Sequence, residues 1–198
     1  MGIVLLTGPK HSGKTSAGRA LAALIKCPFI DLDALIEERE GKSPRELYRE
    51  GPDFFRRAEA AALQSLLPPK EACVILAAGG GLCDNPAALE LLKSPGISIV
   101  FLETSAETAW NRIEGASGGL PPFLDTENPR ETHRLLHERR SAAYHLLAQI
   151  HIRAEGKSPE QIAAEIRSAM LLPGSCHSCR ESRDASKQKI RKNGCLDG

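Results

Sequence analysis

Gly8-Pro9-Lys10-His11-Ser12-Gly13-Lys14-Thr15 decides the reading of this chain. The run before it, Ile3-Val4-Leu5-Leu6, is apolar throughout and has the length of a buried strand. The run after it, Ser16 to Leu24, reads as a helix. Strand, glycine loop, Gly-Lys-Thr and helix together make the phosphate-binding P-loop in the context that the motif requires. Its glycines let backbone N–H groups converge on phosphate oxygens, and the helix N-terminus adds positive field. The candidate nucleotide-binding residues are therefore Gly8, Pro9, Lys10, His11, Ser12, Gly13, Lys14, Thr15 and Ser16. Lys14 is expected to reach the β- and γ-phosphates, and the Thr15 hydroxyl to ligate Mg2+. The motif does not specify Lys10 and His11, which read as solvent-facing loop residues.

Working outward, strands and helices alternate. Apolar strands are expected at Cys27 to Asp31, Cys73 to Ala77, Ile97 to Leu102 and Ile150 to Arg153. Helices start at recognisable caps: Ser43-Pro44-Arg45-Glu46, Asn85-Pro86, Thr104-Ser105-Ala106-Glu107, Asn128-Pro129 and Ser158-Pro159. Strands that are apolar on both faces belong in a parallel sheet covered on both sides. The expected fold is α/β, a P-loop NTPase-like three-layer sandwich with a central parallel sheet of about five strands. Gly115 to Glu127, rich in Gly and Pro, reads as a mobile loop. The domain is expected to span residues 1–172.

The chain has 198 residues, 41% of them hydrophobic, which suits one domain with a sizeable core. A net charge of +1 gives no reason to expect nucleic acid or an acidic membrane as partner. The sequence enters a strand directly, without a basic-then-apolar leader, and no apolar run approaches the ~20 residues that span a bilayer. The expectation is a soluble, cytoplasmic monomer. Cys27, Cys73 and Cys83 lie in or beside strands and read as buried thiols. Residues 173–198 lose apolar periodicity and read as a disordered, mildly basic tail. Cys176 and Cys179 have half the spacing of a zinc knuckle, but a closed site needs four ligands, so a reduced tail is expected.

The acceptor must be read from other segments. Asp31 and Asp33 sit at i and i+2 at a strand end, beside the P-loop. One carboxylate can orient Mg2+, and the other can face the acceptor. Gly79-Gly80-Gly81 follows another strand and should meet the same sheet edge. The pairs Arg56-Arg57 and Arg139-Arg140 offer guanidinium groups, which bind carboxylates bidentately. His133 and His137 have a metal-pair spacing, but no carboxylate supports it and they read as a solvated face.

In this combination the chain resembles the shikimate kinase family. The motifs, in the family's order, are Gly13-Lys14-Thr15, Asp31-Leu32-Asp33, Phe55-Arg56-Arg57-Ala58-Glu59, Gly79-Gly80-Gly81 and Arg140-Ser141-Ala142-Ala143-Tyr144. The resemblance covers roughly residues 1–172. It implies transfer of the γ-phosphoryl group of ATP, with Mg2+, to the 3-hydroxyl of shikimate. By resemblance Lys14 and Asp33 are catalytic, with Asp33 holding the substrate hydroxyls as the candidate base. Arg56 and Arg140 would grip the carboxylate, and Gly79, Gly80 and Gly81 would line the ring. Thr15 and Asp31 are the metal residues. Arg112 resembles an arginine lying along the adenine, and Arg153 joins it on the nucleotide side.

One stretch departs from the family. Its lid carries an arginine in an Arg-Pro-Leu-Leu-like segment that folds onto the transferring phosphate. Here the corresponding residues are Gly118-Gly119-Leu120-Pro121-Pro122-Phe123-Leu124, with no basic side chain. Losing one preorganised charge partner typically costs roughly 10²–10³ in rate. Either Lys10 or Arg130 substitutes as the available cation, or activity is weak or altered. The alternative reading is a weakly active or non-catalytic nucleotide-binding homologue, or a kinase of another small hydroxylated acid.

Overall fold

The computed structural model describes residues 2–69, 73–116 and 119–171. The tail reading, with Cys176, His177, Cys179 and Cys195, lies outside these residues. In chain order the elements are β1 (Gly2–Thr7), α1 (Lys14–Ile25), β2 (Phe29–Asp31), α2 (Leu32–Glu40), α3 (Pro44–Glu50), α4 (Pro52–Ser65) and β3 (Cys73–Ala77). Then follow α5 (Pro86–Leu92), β4 (Ile97–Glu103), α6 (Ala106–Glu114), α7 (Pro129–Leu147), β5 (Ile150–Arg153) and α8 (Pro159–Leu171). Short 3-10 turns at Leu82–Asp84 and Pro122–Leu124 complete the set.

All five strands pair in parallel, in the order β2-β3-β1-β4-β5. Leu5 of β1 lies opposite Leu76 of β3 and Ile99 of β4. Successive side chains leave opposite faces. Ile3 and Leu5 therefore join Leu76 and Ile99 against Leu32, Ile36, Ala62 and Leu63 of α2 and α4. Val4 and Leu6 join Ile75, Val100 and Leu102 against Ala17 and Leu21 of α1 and Ile162 and Ile166 of α8. This is the expected three-layer α/β fold, with one apolar core on each face of the sheet.

The connection from β1 to β2 passes beyond β3, whereas that from β3 to β4 passes beyond β1 in the other direction. The carboxyl end of β1 is thus the switch point of the sheet, where open parallel sheets bind ligands. The P-loop starts there.

Local chemistry sets the helix starts. Ser43 and Glu46 form a reciprocal capping box on α3, with Pro44 at the first helical position. Asp31 caps α2 by accepting from the Asp33 N–H, so α2 begins at Leu32 and carries Asp33 in its first turn. Cys27, Cys73 and Cys83 are half-buried, less covered than expected. His133 and His137 do not form a solvated face. His133 is buried against Trp110, and His137 bonds through Nε2 to the Thr104 carbonyl at 2.8 Å.

Leu6 is fully buried between the sheet and α1. Leu6→Ala should destabilise the domain by about 2–5 kcal/mol, because the surrounding layers cannot collapse onto the cavity. Chemical denaturation followed by circular dichroism measures this; a loss below about 1 kcal/mol would contradict the packing described.

Candidate active site

The P-loop presents donors with few acceptors. No side chain caps α1 at Gly13. The Ser12 hydroxyl is buried and has no hydrogen-bond partner among the described residues. Lys14 Nζ donates to the carbonyls of Gly8 and Pro9, at 3.1 and 2.7 Å. Burial pushes its pKa down to about 8, although Asp33 and Asp31 pull in the opposite direction. A buried cation held by neutral carbonyls gains most from an anion, and phosphoryl oxygens would also satisfy Ser12 and the first amides of α1. The residues present thus fit a nucleotide.

Thr15 Oγ1 donates to Asp31 Oδ2 at 2.9 Å, while Asp31 Oδ1 accepts from the Asp33 N–H at 3.1 Å. One side chain therefore caps α2 and also brings a carboxylate to the Thr15 hydroxyl. Hydroxyl and carboxylate oxygens together fit Mg2+, which favours oxygen ligands and keeps several waters.

Asp33 opens to solvent on one side and has protein on the others. Partial desolvation raises its pKa first, Asp31 adds to the rise, and Lys14 and Lys10 oppose it. A Cβ on Gly79 would lie 3.9 Å from Asp33 Oδ1. A Cβ on Gly80 would lie 2.6 Å from the Gly8 carbonyl oxygen, so only glycine allows the strip after β3 to meet the P-loop this closely. At Gly81 the neighbour is Arg140 Nη2, 3.3 Å from where a Cβ would stand. Asp33, the glycine strip and Arg140 therefore line one contiguous wall.

Sequence reading missed the groups that hold this wall in place. Asp84 Oδ2 accepts from Arg140 Nε at 2.8 Å, and Asp84 Oδ1 accepts from Arg139 at 2.8 Å. Glu59 is 1% exposed. Its carboxyl accepts from Asn85 Nδ2 at 2.9 Å, and Asn85 also donates to the Arg56 carbonyl at 2.8 Å. Burial raises the Glu59 pKa to about 7 against the Asn85 hydrogen bond, with Asp33 adding to the rise. The buried Tyr144 hydroxyl accepts from the Cys83 N–H at 3.1 Å and anchors the turn after Gly81. Glu59 and Tyr144 stood in the quoted motifs. Asp84 carried no signal, and Asn85 read only as a helix cap.

The other expected residues are placed less uniformly. Arg56 lies one turn before Glu59 and pairs with Asp53 at 2.9 Å. Arg57 turns away and stacks on Phe54. Arg112 Nη1 donates to the His11 carbonyl at 2.8 Å, so α6 touches the P-loop. His11 is exposed at the loop tip; burial, Lys10, Lys14 and Arg112 lower its pKa. Arg153 ends β5, beside Glu103 of β4, with β4 between it and β1. Ser16 is exposed in the first turn of α1.

The lid contains a 3-10 turn and packs on the domain. Leu124 is fully buried with Trp110 and Ile113, and Arg45 donates to the Leu120 carbonyl at 2.9 Å. Phe123 lies under the Arg140 guanidinium, 5.2 Å from ring centre to Cζ, and meets Tyr48 edge-on. Arg130 lines a separate hollow with Trp110, Glu114 and Leu120, which no P-loop residue or Asp33 lines.

A parallel sheet with a P-loop at its switch point, a Thr–Asp pair and an Asp–Arg wall for a small acceptor defines a P-loop small-molecule kinase. The family model described as shikimate kinase matches residues 10–171. The chain belongs to the shikimate kinase family, phosphotransferases with an alcohol acceptor that use ATP and Mg2+. It is 35% identical over 173 residues to the shikimate kinase of Moorella thermoacetica, covering 85% of this chain and 94% of that one. The structure of a shikimate kinase from Acinetobacter baumannii in complex with shikimate superposes with a TM-score of 0.76 at 30% identity, over 86% of this chain and 93% of that one. That of Aquifex aeolicus gives 0.71 at 31% identity, over 85% and 95%.

The lowered Lys14 pKa has a measurable outcome. Above about pH 8 the free protein loses this proton, whereas bound phosphate favours the protonated form. Binding of an ATP analogue should therefore take up a proton near pH 8 to 9, and affinity should fall as pH rises through this range. Calorimetry in buffers of different ionisation enthalpy reads the uptake; its absence, or its persistence in Lys14→Met, would contradict the assignment.

Proposed function

We propose that this chain phosphorylates the 3-hydroxyl of shikimate, with the wall of Asp33, Gly79, Gly80, Gly81 and Arg140 as its acceptor site. The observation that carries the reading is the contiguity of that wall with the P-loop, through the Gly8–Gly80 contact. ATP supplies the transferable phosphoryl group, and Mg2+, held by Thr15 and Asp31, would neutralise its charge. Lys14 and the loop amides hold the phosphates. Asp33 accepts a hydrogen bond from the acceptor hydroxyl and takes its proton as transfer proceeds; its raised pKa suits a group that must hold a proton briefly. Arg140, fixed along its Nε edge by Asp84, turns the rest of its guanidinium to the substrate carboxylate, with Arg56 as the second cation. Phe123 closes over Arg140 and excludes water, which strengthens that pairing.

Lys10 takes the part of the missing lid cation. Its charge acts on both Asp33 and Lys14, which bracket the place of transfer. Arg130 faces the separate hollow instead. The acceptor site is complete within one chain, which supports a monomer. The free thiols of Cys27 and Cys83 support a reducing, cytoplasmic setting. No described helix is long and apolar enough to cross a membrane.

A coupled assay of ATP turnover with and without shikimate tests the reading directly. Arg140→Ala should raise the KM for shikimate, at a cost of about 2–5 kcal/mol, and leave the KM for ATP nearly unchanged. Equal effects on both substrates would move Arg140 out of the acceptor site.

Lys10→Ala should lower kcat by roughly tenfold or more with little change in either KM, since its contact acts mainly in the transition state. Placing arginine in the lid of that variant, by Pro121→Arg, should restore part of the loss. An unchanged kcat in Lys10→Ala would remove Lys10 from the mechanism.

A further inference from the structure

At the β5 edge of the sheet, on the face that α7 covers, lies a second constellation that phosphoryl transfer does not use. β4 ends on Glu103. Phe101 of β4 pairs in register with His151 of β5, so Phe101, Glu103 and His151 share one face. The last turn of α7 brings His145 to the same place. Glu103 Oε1 lies 3.4 Å from His151 Nδ1 and 3.8 Å from His145 Nδ1, and one ligand atom of each residue falls within 4.8 Å of the other two. The imidazoles lie nearly parallel, 5.0 Å between centroids at 11°, and both meet Phe101 edge-on.

These separations are long for charge-assisted hydrogen bonds, which run about 2.7–2.9 Å. They are close to the ~3.3 Å between two ligand atoms that each sit ~2.0 Å from a tetrahedral ion. Two imidazole nitrogens and one carboxylate oxygen are a donor set for zinc or a neighbouring late transition metal, whereas Mg2+ prefers oxygen alone. The two rings lie nearly parallel, so holding one ion requires both to turn about their Cβ–Cγ bonds. His145, His151 and Glu103 are 54%, 34% and 26% exposed, which leaves an entry path and room for water as the fourth ligand.

We propose that Glu103, His145 and His151 form a transition-metal site for Zn2+, separate from the Mg2+ residues of the kinase site. Thr15 and Asp31 lie on α1 and β2, on the other side of β1 from β4 and β5. The bound ion ties the end of α7 to the two outer strands. That helix carries Arg140 and Tyr144, so the clip steadies the helix that presents the acceptor arginine.

The test uses the full chain, freed of metal by a chelator, because the cysteines beyond residue 171 are rival ligands. It should take up one Co2+ with a d–d absorption spectrum free of thiolate charge transfer. Zn2+ should displace that ion and raise the melting temperature, in the presence of excess Mg2+. The signal should survive in Cys176→Ser/Cys179→Ser/Cys195→Ser and vanish in His145→Ala/His151→Ala, whose fold circular dichroism checks. Glu103→Gln should weaken Zn2+ binding more than about tenfold. The proposal is overturned if a folded His145→Ala/His151→Ala protein keeps the site, if the spectrum shows only thiolate ligation that the serine variant abolishes, or if no ion binds and the histidines merely pair with Glu103 at low pH.

Discussion

The carbonyl of Gly8 and the backbone of Gly80 approach so closely that a Cβ at residue 80 would stand 2.6 Å from the Gly8 oxygen. The P-loop and the glycine strip after β3 are thereby pressed together at the carboxyl end of β1. Phosphoryl transfer needs donor and acceptor held in line. The sheet order puts β3 and β4 on either side of β1, and glycine removes the side chain that would otherwise separate the two loops.

Charge arranges the rest of the site. Lys14, Asp33, Asp31 and Lys10 act on one another across the P-loop, and Glu59, Asp84 and Arg140 do the same across the glycine strip. Lys14, Asp31, Glu59, Asp84 and Arg140 are wholly or partly buried, which makes each of these charges expensive without a partner. Asp84 is the clearest case. It spends one oxygen on the Nε and Nη2 of Arg140 and the other on Arg139, and so fixes the orientation of the Arg140 guanidinium beside Gly81. Burial pushes the Glu59 pKa up to about 7, against the Asn85 hydrogen bond and the Arg140 charge. Glu59 holds Asn85, and Asp84 holds Arg139 and Arg140.

The lid illustrates how one role can be divided. Its residues Leu120, Phe123 and Leu124 are apolar, and Phe123 reaches the Arg140 guanidinium. Such a lid can exclude water and strengthen the electrostatics beneath it. It brings no positive charge of its own, and the cations near the P-loop are Lys10 and Lys14. Arg45 ties the lid backbone to α3, which links closure to the helix in front of the Phe-Arg-x-x-Glu segment.

By itself the sequence determined the layer architecture, the P-loop and its place at a strand end, and the motifs of the acceptor wall. These rest on local regularities: apolar strands, capping boxes and glycines at fixed offsets. Tertiary structure decided what depends on distant segments meeting. Asp84 became the anchor of Arg140 because α7 packs on the turn after Gly81, a pairing across 56 residues that no spacing reveals. His133 and His137 looked like a solvated face until α6 and Thr104 covered them. Glu103, His145 and His151 come together only through the pairing of β4 with β5 and the end of α7. In each case the outcome follows from which surfaces the sheet order brings together, and chain neighbours carry no record of that order.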